Sequence, residues 1–274
     1  MVESCCPKTL EEALAAKAEN PDIIPYAGGT DWMVTRRDNT PLLFLNYISS
    51  LREIHDTPGE LVIGACCTYT QLLESKAVRD MLRQSITEIA SPAIRNMGTL
   101  GGNICNASPA GDTLPVLYAL DARVRLASAG GKRELLLSTF IQGVRKIDLK
   151  PDELLEYIII PKNVFTRTYY KKVGARNAVA IAKASFAAAV RIQDGVVAAI
   201  PIAFGSVATT VVRRPVIESA LIGKTPEELR HMKDEIIELY SSYVKPIDDQ
   251  RSTAAYRKQV CLSLLDDFLL LEGL

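Results

Sequence analysis

The residues best placed to do chemistry lie between Ile94 and Asp112, in the run I-R-N-M-G-T-L-G-G-N-I-C-N-A-S-P-A-G-D. Gly98, Gly101 and Gly102 let backbone N–H groups approach a neighbour closely, and Thr99, Asn103, Asn106, Ser108 and Asp112 add small donors and acceptors. Such a stretch is either a tight structural turn or a cradle for phosphate. A second cluster, Ala27-Gly28-Gly29-Thr30-Asp31 followed by Trp32, has the same chemistry. Alone it reads equally well as an ordinary turn. Neither cluster has the G-x-G-x-x-G spacing of a nicotinamide-binding Rossmann unit. The chain also has no G-x-x-x-x-G-K-[ST] to set a lysine on a γ-phosphate. Taken together, the two clusters fit a pyrophosphate better than either does alone.

Other chemistries find little support. The only histidines are His55 and His231, in loop and helix contexts that suit surface positions, and no nucleophile–base triad can be assembled. No catalytic side chain is therefore expected. The six cysteines (Cys5, Cys6, Cys66, Cys67, Cys105 and Cys261) match neither zinc nor iron–sulfur ligand spacing, so no metal site is expected and they read as free thiols. Cys105 reads as a small packing residue. With 32 basic and 32 acidic residues the net charge is zero, which argues against a nucleic-acid partner. No apolar run approaches the roughly 20 residues that span a bilayer, and no secretory signal opens the chain. The expectation is a cytoplasmic protein without membrane contact.

These segments must be positioned by the elements around them. Thr9 to Asn20 has a hydroxyl cap, acids in the first turn and an Asn-Pro stop, which predict a helix. Ile23–Tyr26 and Leu42–Asn46 predict short strands, with Trp32–Arg37 helical between them. Leu61–Gly64 predicts a strand, Tyr69–Ser75 begins a helix, and Val78–Ala90 continues with helical spacing. Beyond the long glycine segment, Thr113–Leu120 predicts a helix, and Asp121–Leu126 with Arg133–Leu137 a hairpin across Gly130-Gly131. Leu154–Ile160 reads as a strand up to Pro161. The second half predicts three antiparallel strands, Thr168–Val173, Ala182–Gln193 and Val196–Phe204, with helices at Pro215–Leu221, Pro226–Tyr243 and Ser252–Leu271 on one face.

With A-G-G-T-D at Ala27–Asp31, T-L-G-G-N-I at Thr99–Ile104 and A-S-P-A-G-D at Ala107–Asp112, the chain resembles the FAD-binding medium subunits of the molybdenum hydroxylase family. These are the flavoproteins of the xanthine dehydrogenase and carbon monoxide dehydrogenase type. The resemblance covers essentially the whole chain and includes Y-K-K-V-G-A-R at Tyr170–Arg176. It implies an α+β fold in two parts. Residues 1–163 would form a vanillyl-alcohol-oxidase (PCMH)-type FAD-binding domain with subdomains of about 1–53 and 54–163. Residues 164–274 would form a smaller α/β C-terminal domain with a three-stranded antiparallel sheet. The resemblance also implies that Ala27, Gly28, Gly29, Thr30, Asp31, Thr99, Leu100, Gly101, Gly102 and Asn103 hold the pyrophosphate of FAD, and that Trp32 also binds the cofactor. Asn106 would add a side-chain hydrogen bond, Asp112 would meet the adenosine ribose or nearby polar atoms, Ile104 and Leu155 would pack on the ring system, and Lys172 would approach the flavin edge. Two bland alternatives stand beside this: Asp112 as a helix N-cap and Lys172 as a solvated strand lysine.

The implied function is electron transfer. The flavin would accept electrons from [2Fe-2S] clusters on an iron–sulfur subunit and pass them to NAD+ or another acceptor. A molybdopterin-binding subunit with the molybdenum cofactor would hydroxylate a purine or another N-heterocycle. Two alternatives stay open at this point. One is a stand-alone flavin oxidoreductase of the same fold, like UDP-N-acetylenolpyruvylglucosamine reductase; the other is a non-enzymatic binding or assembly module.

Overall fold

The computed structural model describes residues 3–35 and 39–271. The chain forms two compact units: Met1–Val78 with Ser91–Ala107 and Asp121–Lys162, and Arg79–Ala90 with Ser108–Leu120 and Asn163–Leu274. The expected helix over Trp32–Arg37 is present as Trp32–Thr35, and residues 36–38 lie outside the described ones.

In the first unit, Thr9 caps the helix Leu10–Glu19 by accepting the Glu12 amide, as its sequence predicts. The end of that helix is tied down by Lys17, whose buried ammonium donates to Pro21 O at 2.6 Å and Ile23 O at 2.8 Å. The chain then enters strand Ile24–Tyr26, which pairs in parallel with Leu42–Phe44. A five-stranded antiparallel sheet follows, in the order Ile54–Asp56, Glu60–Gly64, Leu154–Pro161, Arg123–Ser128, Gly131–Leu136. Strand Leu154–Pro161 is central and almost entirely buried, which explains why its residues are apolar apart from the buried Glu156. One core joins Leu10, Leu14, Leu43, Ile48 and Leu51 to Cys66, Ala127 and Leu154 of the sheet region.

In the second unit the expected three strands are five. Strand Arg167–Val173 pairs with Ala184–Gln193, which pairs with Ile202–Gly205 and Val196–Ala199, and Val212–Arg213 closes the edge. The predicted strand Val196–Phe204 breaks at Ile200-Pro201, because proline has no N–H for the ladder and the register shifts at Arg191/Ile192. The turn Asp194-Gly195, with φ of 53° and 80°, makes the predicted hairpin.

The predicted helices share one face of this sheet, and helices from earlier in the chain lie on the strands as well. Phe186 and Phe204, 5.0 Å apart, lead a core that includes Phe268 of the helix Ala254–Leu269 and Tyr240 of the helix Lys233–Ser241. The alternate residues Ser185, Ala187, Ala189, Ala203 and Gly205 are small, and the helix Leu114–Ala119, buried along its whole length, lies against these strands. A Cβ on Gly205 would come 2.6 Å from Pro115 Cγ, so helix and strand are in direct contact there. The helix Asp80–Thr87 packs beside it on strand Arg167–Val173.

Candidate functional site

The first glycine segment leaves strand Ile24–Tyr26 and turns at once. Gly29 has φ +69°, and a side chain there would run into the Tyr26 ring. A Cβ on Gly28 would fall inside the Met97 carbonyl group and 3.1 Å from Gly98 Cα. The A-G-G-T-D turn is therefore seated on the backbone that leads into Thr99. Two segments far apart in sequence become one feature of the first unit. Met33 N then donates to Gly29 O at 2.9 Å, opening the short helix that carries the half-buried Trp32.

The second segment is not the open loop its glycines suggest. It folds as two short helices, Pro92–Met97 and Leu100–Asn106, joined at Gly98-Thr99. Thr99 Oγ1 accepts the Gly102 amide at 3.0 Å and so caps the second helix. Leu100 N donates to Cys67 O at 3.2 Å, Gly101 N to Ala65 O at 3.1 Å, and Asn103 N to Thr99 O at 3.1 Å. Each of these amides, and that of Gly102, has an acceptor within the unit. Gly101 is glycine because a Cβ would lie 2.8 Å from Ala65 Cβ. Gly102 is exposed, and a Cβ there would meet only Thr99 Oγ1, at 2.8 Å. What this helix turns outward is a bare Cα flanked by the half-buried Asn103 and Asn106. Ile104 is fully enclosed by protein and Leu155 nearly so, because the helix packs on strand Leu154–Pro161. The predicted apolar contacts with a ring system thus fall on residues that already serve as core.

Asp112 and Lys172 belong to the second unit, which brings them together. Lys172 Nζ donates to Asp112 Oδ2 at 2.7 Å and to Glu88 O at 2.9 Å, and Tyr170 OH donates to Asp112 O at 3.3 Å. The lysine is buried, so it is not a solvated strand lysine. Nor is Asp112 a helix cap: Thr113 is the N-cap residue of Leu114–Ala119, and no side chain caps it. Asp112 Oδ1 is buried with no hydrogen-bond partner. Burial pushes this carboxyl up to about 6, although the Lys172 charge pulls the other way.

His55 and His231 are exposed, beside Glu53 and Glu227 respectively. All six cysteines are free, and burial pushes the Cys105 thiol up to about 12, far from a reactive thiolate. Among the described residues no cluster of His, Cys, Asp or Glu could hold a metal ion, and no helix is long and apolar enough to cross a membrane.

One residue at the glycine turn escaped the sequence reading. Arg145, in the turn between strands Ile141–Gly143 and Lys146–Ile147, places Nη1 3.5 Å from Asp31 Oδ2. Nothing in its local sequence signals this, because the partner comes from a distant part of the chain.

Comparison with known proteins gives these features a context. Residues 1–163 match the family described as the FAD binding domain in molybdopterin dehydrogenase, and residues 168–271 match the CO dehydrogenase flavoprotein C-terminal domain. The chain is 32% identical to the glyceraldehyde dehydrogenase medium chain of Sulfolobus acidocaldarius, over 92% of each chain. It is 31% identical to the nicotinate dehydrogenase FAD-subunit of Eubacterium barkeri, over 70% of this chain and 69% of that one. Its fold superposes on a chain of reconstituted CO dehydrogenase from Oligotropha carboxidovorans with a TM-score of 0.89 and 27% identity, covering 97% of this chain and 96% of that one. With two glycine segments joined in an FAD-binding-domain match and a flavoprotein C-terminal domain behind them, the chain belongs to the FAD-binding subunit family of the molybdopterin dehydrogenases.

Proposed function

We propose that this chain is the FAD-binding, electron-transferring subunit of a multi-subunit molybdenum hydroxylase. The observation that carries the reading is the seating of the Gly28 turn on Met97 and Gly98, which unites both glycine motifs in one backbone feature. A Cβ on Gly28 would collide with the Met97 carbonyl, so glycine there lets the two segments meet, while Gly102 leaves an exposed stretch of main chain that a larger residue would cover, as a cradle for a diphosphate requires. We place Ala27–Trp32 and Thr99–Asn103 at the pyrophosphate, through side chains and exposed backbone rather than through the amides of Leu100 to Asn103. Asn106 would donate or accept beside them. Ile104 and Leu155 would support the site from within the core. In the second unit, Asp112 would meet the adenosine ribose or polar atoms near it, and Lys172 holds its carboxylate in place.

Bound FAD would supply the redox chemistry, taking electrons singly and delivering them in pairs. This chain's own residues would bind and orient it, and the lack of a catalytic triad suits that role. The reading extends to a vanillyl-alcohol-oxidase (PCMH)-type FAD domain over residues 1–163 and a C-terminal domain over 164–274. It further extends to a cytoplasmic complex with an iron–sulfur subunit and a molybdopterin-binding subunit, a purine or other N-heterocycle as substrate, and NAD+ as acceptor. Affinity purification through a tag on this chain tests it. The expected product contains FAD, iron and molybdenum, and its flavin band bleaches when a reducing heterocycle is added. Recovery of a chain with no flavin, even after incubation with FAD, and no metal would overturn the reading.

A further inference from the structure

Arg145 connects the two glycine segments and takes no part in the motifs that define them. Its backbone has φ 54°, in the left-handed region, which is unusual for arginine. That conformation lets its amide donate to Ala107 O at 3.1 Å. Ala107 ends the helix Leu100–Asn106 and is itself left-handed, with φ 46°. The hairpin Ile141–Ile147 is thereby fastened at the end of one glycine segment, while the Arg145 side chain reaches Asp31 of the other.

The Arg145–Asp31 pair is loose. At 3.5 Å it exceeds the roughly 2.8 Å of a tight guanidinium–carboxylate bond. The two side chains are 59% and 49% exposed. One long contact engages only part of a guanidinium, which carries five N–H donors in a planar fork suited to phosphate. The electrostatic need is plain. Asp31 puts a negative charge in the first glycine turn, where a diphosphate would add more, and the amides of Leu100 to Asn103 already have protein acceptors.

We propose that Arg145 is a phosphate-binding residue of the FAD cradle, pre-positioned by Asp31 and by its backbone tie to Ala107. This rests on the FAD-binding reading above. On ligand entry the guanidinium keeps one edge toward Asp31 and presents the other to the diphosphate, offsetting both charges.

The test is FAD titration of the full-length apo chain, read by quenching of flavin fluorescence over a range of salt concentrations. Wild type, R145A, R145Q, R145K and the double variant R145A/D31N are compared. R145A and R145Q are expected to weaken FAD binding at least tenfold and to flatten its salt dependence. R145K should retain part of the affinity. R145A/D31N should recover only part of the loss. ADP competition should weaken in parallel, and adenosine competition should not. Melting of the apo chain should be the same for wild type and R145Q, so that a loss of affinity is not a loss of fold. Affinities of R145A and R145Q within twofold of wild type would overturn the proposal. So would full recovery in R145A/D31N, which would make Arg145 only a counter-ion to Asp31. A wild-type chain that takes up no FAD would overturn the parent reading as well.

Discussion

Lys172 Nζ sits 2.7 Å from Asp112 Oδ2, while the other oxygen of that carboxylate is buried without a partner. The pair is thus half satisfied: one charge contact holds it, and desolvation opposes it. Burial raises the Asp112 carboxyl from 3.8 to about 6. The sign follows from linkage. The folded chain holds this proton at a higher pH than the unfolded chain, so the contribution to stability is full below about pH 4 and is lost as pH rises through about 6.

Lys172→Met removes the cation that keeps Asp112 from rising further. At pH 8 the variant is left with a buried, unpaired carboxylate, and the expected loss of stability is about 3 kcal/mol. The loss should shrink as pH falls and the carboxyl takes up its proton. Denaturant unfolding at pH 5 and pH 8 measures this; an equal deficit at both pH values would mean that the charge of Asp112 is not what Lys172 offsets.

Thr99 holds the helix Leu100–Asn106 through its bond to the Gly102 amide. Thr99→Ala should cost about 1 kcal/mol, whereas Thr99→Ser, which keeps the hydroxyl, should cost only a few tenths. Thermal melts of the two variants decide between a capping threonine and one whose methyl group matters most.

Much of the fold is legible in local sequence. The cap of Thr9, the Asp194-Gly195 turn and the buried strand Leu154–Pro161 are all written in residue types that act over a few positions. The misreadings have a common cause in tertiary context. Gly101 and Gly102 look like loop glycines, but one is needed where a helix touches Ala65 and the other leaves a surface bare. Pro201 splits a strand that apolar composition alone would keep whole. The helix Leu114–Ala119 lies against strands that come some seventy residues later, a distance over which no periodicity carries information.

The site shows the same division. Both glycine motifs stand out by composition, but the contact that joins them, Gly28 against Met97, is made by backbone atoms that no residue type announces. The Asp112–Lys172 pair and the Arg145–Asp31 contact are long-range juxtapositions, visible only once the chain is folded.

Whether the joined glycine segments form a cradle for FAD is decided most sharply at Gly102, because its missing side chain faces outward. The measurement is the absorbance spectrum of full-length wild type and Gly102→Phe after incubation with FAD and removal of free ligand, with melting curves recorded in parallel. Flavin bands are expected in wild type and should be lost in the variant, with the second unit still folded. Flavin retained at wild-type level by Gly102→Phe would show that the cradle lies elsewhere.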